Sequence, residues 1–228
     1  MDEFEHAVSE LVDQLTGQYG QLGAPERLIA FASVREDRLR ALTASTFARQ
    51  AAARSGGGAC LFDLDLVGER HYRAIAEGPD AARFGPLVPE DRMNGAPPFW
   101  RAEAPGGIAP ERNASMLRLY RLAAAPLIVS RFHGEALPET ARVTLIDQPA
   151  YWRAARKLAD AVVVDAPDAT RSKAAALIAR RADLVVIVAR REDRRLAEAG
   201  KLREHLEKNG AKRIVAIVVE TAGRREKA

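Results

Sequence analysis

Apolar residues in this chain cluster in short unbroken runs, and the stretches between the runs have helical period. The first run is Leu28, Ile29, Ala30, Phe31 and Ala32. Others follow at Ala59–Leu66, Ala125–Ser130, Ala141–Ile146, Ala161–Asp165, Leu184–Val188 and Arg213–Val219. Short apolar runs bounded by turn residues read as strands, and continuous ones as strands buried on both faces. Between them, about Thr43 to Arg54 reads as a helix stopped by Ser55, Gly56, Gly57 and Gly58. Pro149 to Leu158 reads as another, with Asp147 or Gln148 near its cap and proline in its first turn. Thr170 to Arg181 is expected to start on a threonine cap. Asp193 to Lys208 places Leu196, Ala199, Leu202 and Leu206 inward and stops at Asn209 and Gly210. Strands alternating with helices predict an α/β fold of three layers, with a mostly parallel central sheet covered on both faces. No internal repeat is visible.

Two regions break the alternation. Residues 3–16 put Phe4, Val8, Leu11 and Leu15 on one stripe, and Gly17, Gly20 and Gly23 follow. Residues 1–24 therefore read as an amphipathic helix with a glycine-rich joint, leaving 25–228 as a single α/β domain. From about 78 to 115 the pattern dissolves into an irregular insertion that holds seven of the twelve prolines and five glycines. Its aromatic residues Phe84, Phe99 and Trp100 are the expected anchors.

Composition narrows the class. At 228 residues the chain can bury a substantial core. Its longest apolar run, Leu122 to Val129, is too short to span a bilayer. Acidic residues at Asp2, Glu3 and Glu5 predict no secretory signal. A lone cysteine, Cys60, excludes a disulfide framework and suits a reducing cytoplasm. Charge is uneven: residues 1–150 carry 16 Arg and no Lys against 20 acids, while 151–228 carry 19 basic residues against 11 acids. A basic C-terminal third suits anionic lipid or nucleic acid, and equally the solvated faces of helices.

Candidate chemistry lies at strand ends. Asp63 and Asp65 close one apolar run and Asp165 closes another, where carboxylates of a parallel sheet face the ligand crevice and can hold magnesium. Ser33 to Leu42 follows the first strand in the position where a phosphate-binding loop stands. The four histidines His6, His71, His133 and His205 are isolated in sequence, without zinc-ligand spacing.

These features resemble the bacterial tyrosine kinase (BY-kinase) family, which regulates capsule and exopolysaccharide chain length, within the wider ParA/MinD-like P-loop class. The run Cys60, Leu61, Phe62, Asp63, Leu64, Asp65 is similar to the family's second acidic motif, apart from Val67 where that motif ends in arginine. Val162 to Pro167 is similar to its third motif, with Asp165 one residue closer to the proline. Similarity covers roughly residues 25–75 and 120–220. It implies a P-loop NTPase-like fold, ATP and magnesium as cofactors, and kinase chemistry.

The departures matter as much. A working P-loop uses glycine amides, a lysine and a Ser or Thr on magnesium. No glycine lies between Ala24 and Ser55, and the first lysine is Lys157. Ser33, Arg35, Arg38, Arg40 and Thr43 are what such a loop retains here, and Glu36 and Asp37 would repel phosphate. The last tyrosine is Tyr151, so the family's C-terminal tyrosine cluster is missing, as is the arginine pattern of its N-terminal helix. The expectation is a catalytically inactive kinase-like protein with a degenerate Walker A loop, a vestigial nucleotide or magnesium site at Asp63, Asp65 and Asp165, and no cofactor or resident metal. It would act in exopolysaccharide, capsule or holdfast biosynthesis. Its partner would be the cytoplasmic part of a membrane polysaccharide co-polymerase. It would thus be cytoplasmic and peripheral to the inner membrane, with self-association open and no nucleic-acid partner. The alternative is a ParA/MinD-like NTPase with a noncanonical loop, using ATP and magnesium on a membrane or DNA.

Overall fold

The computed structural model describes residues 8–10, 13, 27–35, 37–78, 81–90, 93 and 95–219. Ten strands are assigned among them: β1 (Arg27–Ser33), β2 (Ala59–Asp63), β3 (Leu87–Glu90), β4 (Trp100–Glu103), β5 (Leu117–Leu122), β6 (Leu127–Phe132), β7 (Arg142–Leu145), β8 (Ala161–Asp165), β9 (Leu184–Arg190) and β10 (Ile214–Val219). The helices are α1 (Asp37–Arg54), α2 (Arg70–Ala76), α3 (Ala81–Phe84), α4 (Pro110–Ala114), α5 (Pro149–Ala155), α6 (Ala174–Ala179) and α7 (Asp193–Lys208).

Eight strands form one sheet in the order β10-β9-β1-β8-β2-β6-β5-β3. The six from β10 to β6 run parallel, and β5 and β3 add an antiparallel edge. Alternation along β1 explains why both faces are covered. Leu28, Ala30 and Ala32 pack to one side with Phe62, Val162, Val164 and Ile187, under Trp152, Ile178, Leu202 and Leu206 from α5, α6 and α7. Ile29 and Phe31 pack to the other with Leu61, Val163 and Val186, against Ala44, Phe47, Ala48 and Ala51 of α1. Small alanines on that face of α1 bring its axis close to the sheet, which places its first turns beside the strand ends.

Two expected elements are redrawn. Helix α1 begins at Asp37, so the expected loop from Ser33 to Leu42 shrinks to the three positions between β1 and α1. Leucine, arginine and alanine favour helix, and without glycine nothing holds the segment open. Conversely, α6 starts at Ala174 rather than Thr170: the Asp168 Oδ1 accepts from both the Thr170 amide (2.8 Å) and hydroxyl (2.9 Å), which fastens that stretch as a turn. The 78–115 stretch is less irregular than its composition suggests, since it contains α3, β3, β4 and α4, with β3 joining the main sheet and β4 pairing with β7 in a small second one. Phe99 and Trp100 do anchor it, packing on Tyr151 and Trp152 with ring centroids 4.8–5.8 Å apart. Of the expected N-terminal stripe, Val8 is buried against the α1 face, while Phe4, Leu11 and Leu15 lie outside the described residues.

Candidate functional site

Parallel register sets the site. Asp63 at the end of β2 stands opposite Asp165 at the end of β8, and Asp165 stands opposite Phe31 of β1. Period-two alternation sends both carboxylates to the α1 side of the sheet, where they become close neighbours. Two buried like charges at strand spacing need compensation. It comes from two other elements.

Arg40, at the end of the first turn of α1, is one source. Its Nε donates to Asp165 Oδ1 at 2.5 Å, its Nη2 to Oδ2 at 3.3 Å, and its Nη1 to the Ser33 hydroxyl at 3.3 Å. Both Arg40 and Asp165 are 2% exposed. His71, on α2, places Nε2 at 2.8 Å from Asp165 Oδ2, and its backbone amide donates to Asp63 Oδ2 at 3.3 Å. The other Asp63 oxygen accepts from the Asp65 amide at 2.9 Å, and the Asp63 amide donates to the Ser130 hydroxyl at 3.0 Å.

Protonation follows from this geometry. Burial pushes the Asp63 carboxyl up to about 6; the His71 charge opposes the rise and that of Asp165 adds to it. Burial alone would push Asp165 up too, but the hydrogen bond and charge of His71, then Arg40, hold it below the usual carboxylate range. For His71 burial favours the neutral ring, and the hydrogen bond and charge of Asp165 outweigh it, so the imidazolium persists above the ordinary histidine range. The cluster therefore holds opposite charges in near balance.

The expected site residues separate on this frame. Asp63 and Asp165 come together, but Asp65 does not join them: its Oδ1 accepts the Gly68 amide at 3.2 Å, closing the turn that leads to α2. A Cβ at Gly68 would meet that carboxylate at 2.5 Å and push the Asp65 side chain aside. Ser33 and Arg40 are drawn into the charge cluster. Thr43 turns its hydroxyl back to the Leu39 carbonyl at 2.8 Å. Arg38 is exposed on α1, and Arg35 is exposed with φ 59°, a left-handed conformation that suits glycine better.

Two residues escaped the sequence reading. His71 lies 94 positions from Asp165, and only the packing of α2 against β6 and α1 brings them together. Asp168, 4% exposed, ties the turn after β8 to the start of the β1 loop. Burial raises its carboxyl, and the amides of Thr170 and Arg35 with the Thr170 hydroxyl outweigh that and hold it low. The succession Pro167, Asp168, Ala169, Thr170 carried the signal for that turn.

Ligand-type atoms of Asp63, His71 and Asp165 all lie within 4.8 Å of one another, close enough to share a cation. Arg40 already occupies both oxygens of Asp165, so a metal ion there would have to displace a guanidinium.

The fold defined by this sheet and its flanking helices is the α/β P-loop NTPase type. Solved structures agree. The kinase domain of the Escherichia coli tyrosine kinase ETK superposes with a TM-score of 0.65 at 16% identity, covering 100% of this chain and 79% of that one. The chimerical protein CapA2B2 gives 0.54 at 16% identity, covering 92% and 82%. A ParA family ATPase from Chlorobium tepidum TLS gives 0.50 at 14%, covering 85% and 73%. At these identities the likeness establishes the shared fold. No protein-family model matches the sequence, and no curated protein matches it. Among the described residues no helix is long and apolar enough to cross a membrane.

Proposed function

We propose that this protein is a catalytically inactive relative of the polysaccharide tyrosine kinases, acting by binding rather than by phosphoryl transfer. The observation that carries this reading is the Arg40 guanidinium, buried against Asp165 and Ser33. In a P-loop enzyme those two positions face magnesium and the triphosphate. Here an internal cation neutralises the carboxylate, and the turn from β1 offers no glycine amides and no lysine. The residues present do not suit ATP and magnesium. On this reading the protein docks on the cytoplasmic part of a membrane polysaccharide co-polymerase and supports export of an exopolysaccharide, capsule or holdfast.

Isothermal titration with ATP and magnesium tests the reading directly, and no saturable heat is expected. Micromolar affinity that is lost in Asp165→Asn, with the variant still folded, would replace it with a nucleotide-cycling function. Copurification with the cytoplasmic segment of a polysaccharide co-polymerase from the same cells tests the partner.

A further inference from the structure

A second feature lies beside the charge cluster. Between α1 and α2 is a cavity of about 370 Å3. Its floor is apolar: Leu61 and Leu127 are each 1% exposed and Ile75 is 8% exposed, and Phe84 of α3 closes one side. Its mouth is cationic. Along one stripe of α1 stand Arg38, Leu42, Ser45 and Arg49; from α2, Arg70 and Ala74 face the same space. Arg49 is steadied by a 3.3 Å hydrogen bond to the Thr46 hydroxyl, and Arg38 and Arg70 are exposed. Leu42 is 47% exposed, a large apolar side chain standing among arginines.

The combination is selective. No Asp or Glu is among the described residues lining the cavity, although acids outnumber arginines 20 to 16 over residues 1–150. Arg38 and Arg70 at the mouth, with no Asp or Glu among the described lining residues, select an anion, and Arg forks match phosphate or carboxylate oxygens. An inorganic anion would leave the apolar floor uncovered, and a plain hydrocarbon would leave the rim without a counter-charge. The volume falls at the small end of the range for small-molecule sites, about 300–1,000 Å3.

We propose that this cavity binds a single-chain amphiphilic anion, an alkyl or acyl chain ending in phosphate or carboxylate. The chain lies over Leu61, Ile75 and Leu127, and the head group sits at the arginines of the mouth. This inference stands apart from the proposed function, since it uses neither Asp165 and Ser33 nor a protein partner.

The probe is decyl phosphate, titrated below its micellar concentration into the full chain and followed by calorimetry. One-to-one binding is expected, with inorganic phosphate and decanol each at least about tenfold weaker, because each satisfies only half of the site. Arg38→Gln with Arg70→Gln should weaken decyl phosphate about tenfold or more and leave decanol unchanged. Ala74→Phe, at an exposed helical position, should fill the cavity and abolish binding, with an unchanged thermal melt showing that the fold is intact. The proposal fails if decyl phosphate does not bind, if Ala74→Phe binds it as well as the parent, or if inorganic phosphate binds equally. It fails too if the protein binds only to anionic phosphatidylglycerol vesicles and not to the monomer, which would mark a surface charge effect.

Discussion

Arg40 and Asp165 stand 125 positions apart in sequence and share two hydrogen bonds, at 2.5 Å and 3.3 Å, in a pocket that exposes 2% of either residue. Such a pair is costly to assemble and more costly to break, because removing one partner leaves the other charged and without water. Arg40→Met should therefore destabilise the protein by about 3–5 kcal/mol in urea denaturation. The double variant Arg40→Met with Asp165→Leu should recover much of that loss. Additive losses in the two variants would show that the charges do not act as a pair.

The sign of the pH dependence also follows. His71 titrates above 6.5 in the folded protein, so its contribution is full below 6.5 and is lost as pH rises through the raised value. Asp63 acts with the same sign, its share lost as pH climbs from 3.8 to about 6. Asp165, held low, acts oppositely, losing its share as pH falls below 3.8. The destabilisation caused by His71→Asn should be greatest between 3.8 and 6.5 and should shrink above that window. Urea midpoints of parent and variant across this range give the gap; a gap that widens with rising pH would contradict the assignment.

Within the proposed function, shape should matter and Asp65 should not. Its carboxylate closes a turn with Gly68, and asparagine can accept the same amide. Asp65→Asn is expected to keep normal stability and normal polysaccharide output in cells. Val163→Asp puts an uncompensated carboxylate into a fully buried central strand, costs several kcal/mol, and should abolish output through unfolding. Lost output in a folded, abundant Asp65→Asn protein would point to a working pocket.

Gly58 offers a test of the backbone. It sits at φ 75° in the turn from α1 to β2, and a Cβ there would meet the Pro126 carbonyl oxygen at 2.2 Å. Gly58→Ala should lower stability by more than about 1 kcal/mol, since both strain and collision oppose it. A melting temperature matching the parent would overturn this.

Strand identity was legible because parallel strands buried on both faces leave unbroken apolar runs, as at Ala161–Asp165 and Leu184–Arg190, which emerge within two residues of expectation. The pairing of Asp63 with Asp165 was legible for a related reason: both end such strands. His71 was not, because nothing local distinguishes a histidine that meets a carboxylate through packing. Nor was the role of Arg40. In sequence it looks like loop charge, and only the backward extension of α1 turns it inward. The Thr170 cap failed because Asp168, two residues earlier, accepts from both the amide and the hydroxyl of Thr170 and holds that stretch as a turn.

Three positions separate β1 from α1, whereas the glycine motif that wraps phosphates needs eight. Point substitutions cannot lengthen a connector. To gain a phosphate cradle, this chain would have to acquire an insertion, or unwind the helical turns that seat Ala41 and Ala44 in the core and release Arg40 from Asp165. Each route passes through a less stable intermediate before any nucleotide can repay it. Within the proposed function, the geometry works as a ratchet: drift can change the surface, but a glycine cradle at this turn is beyond the reach of single mutations.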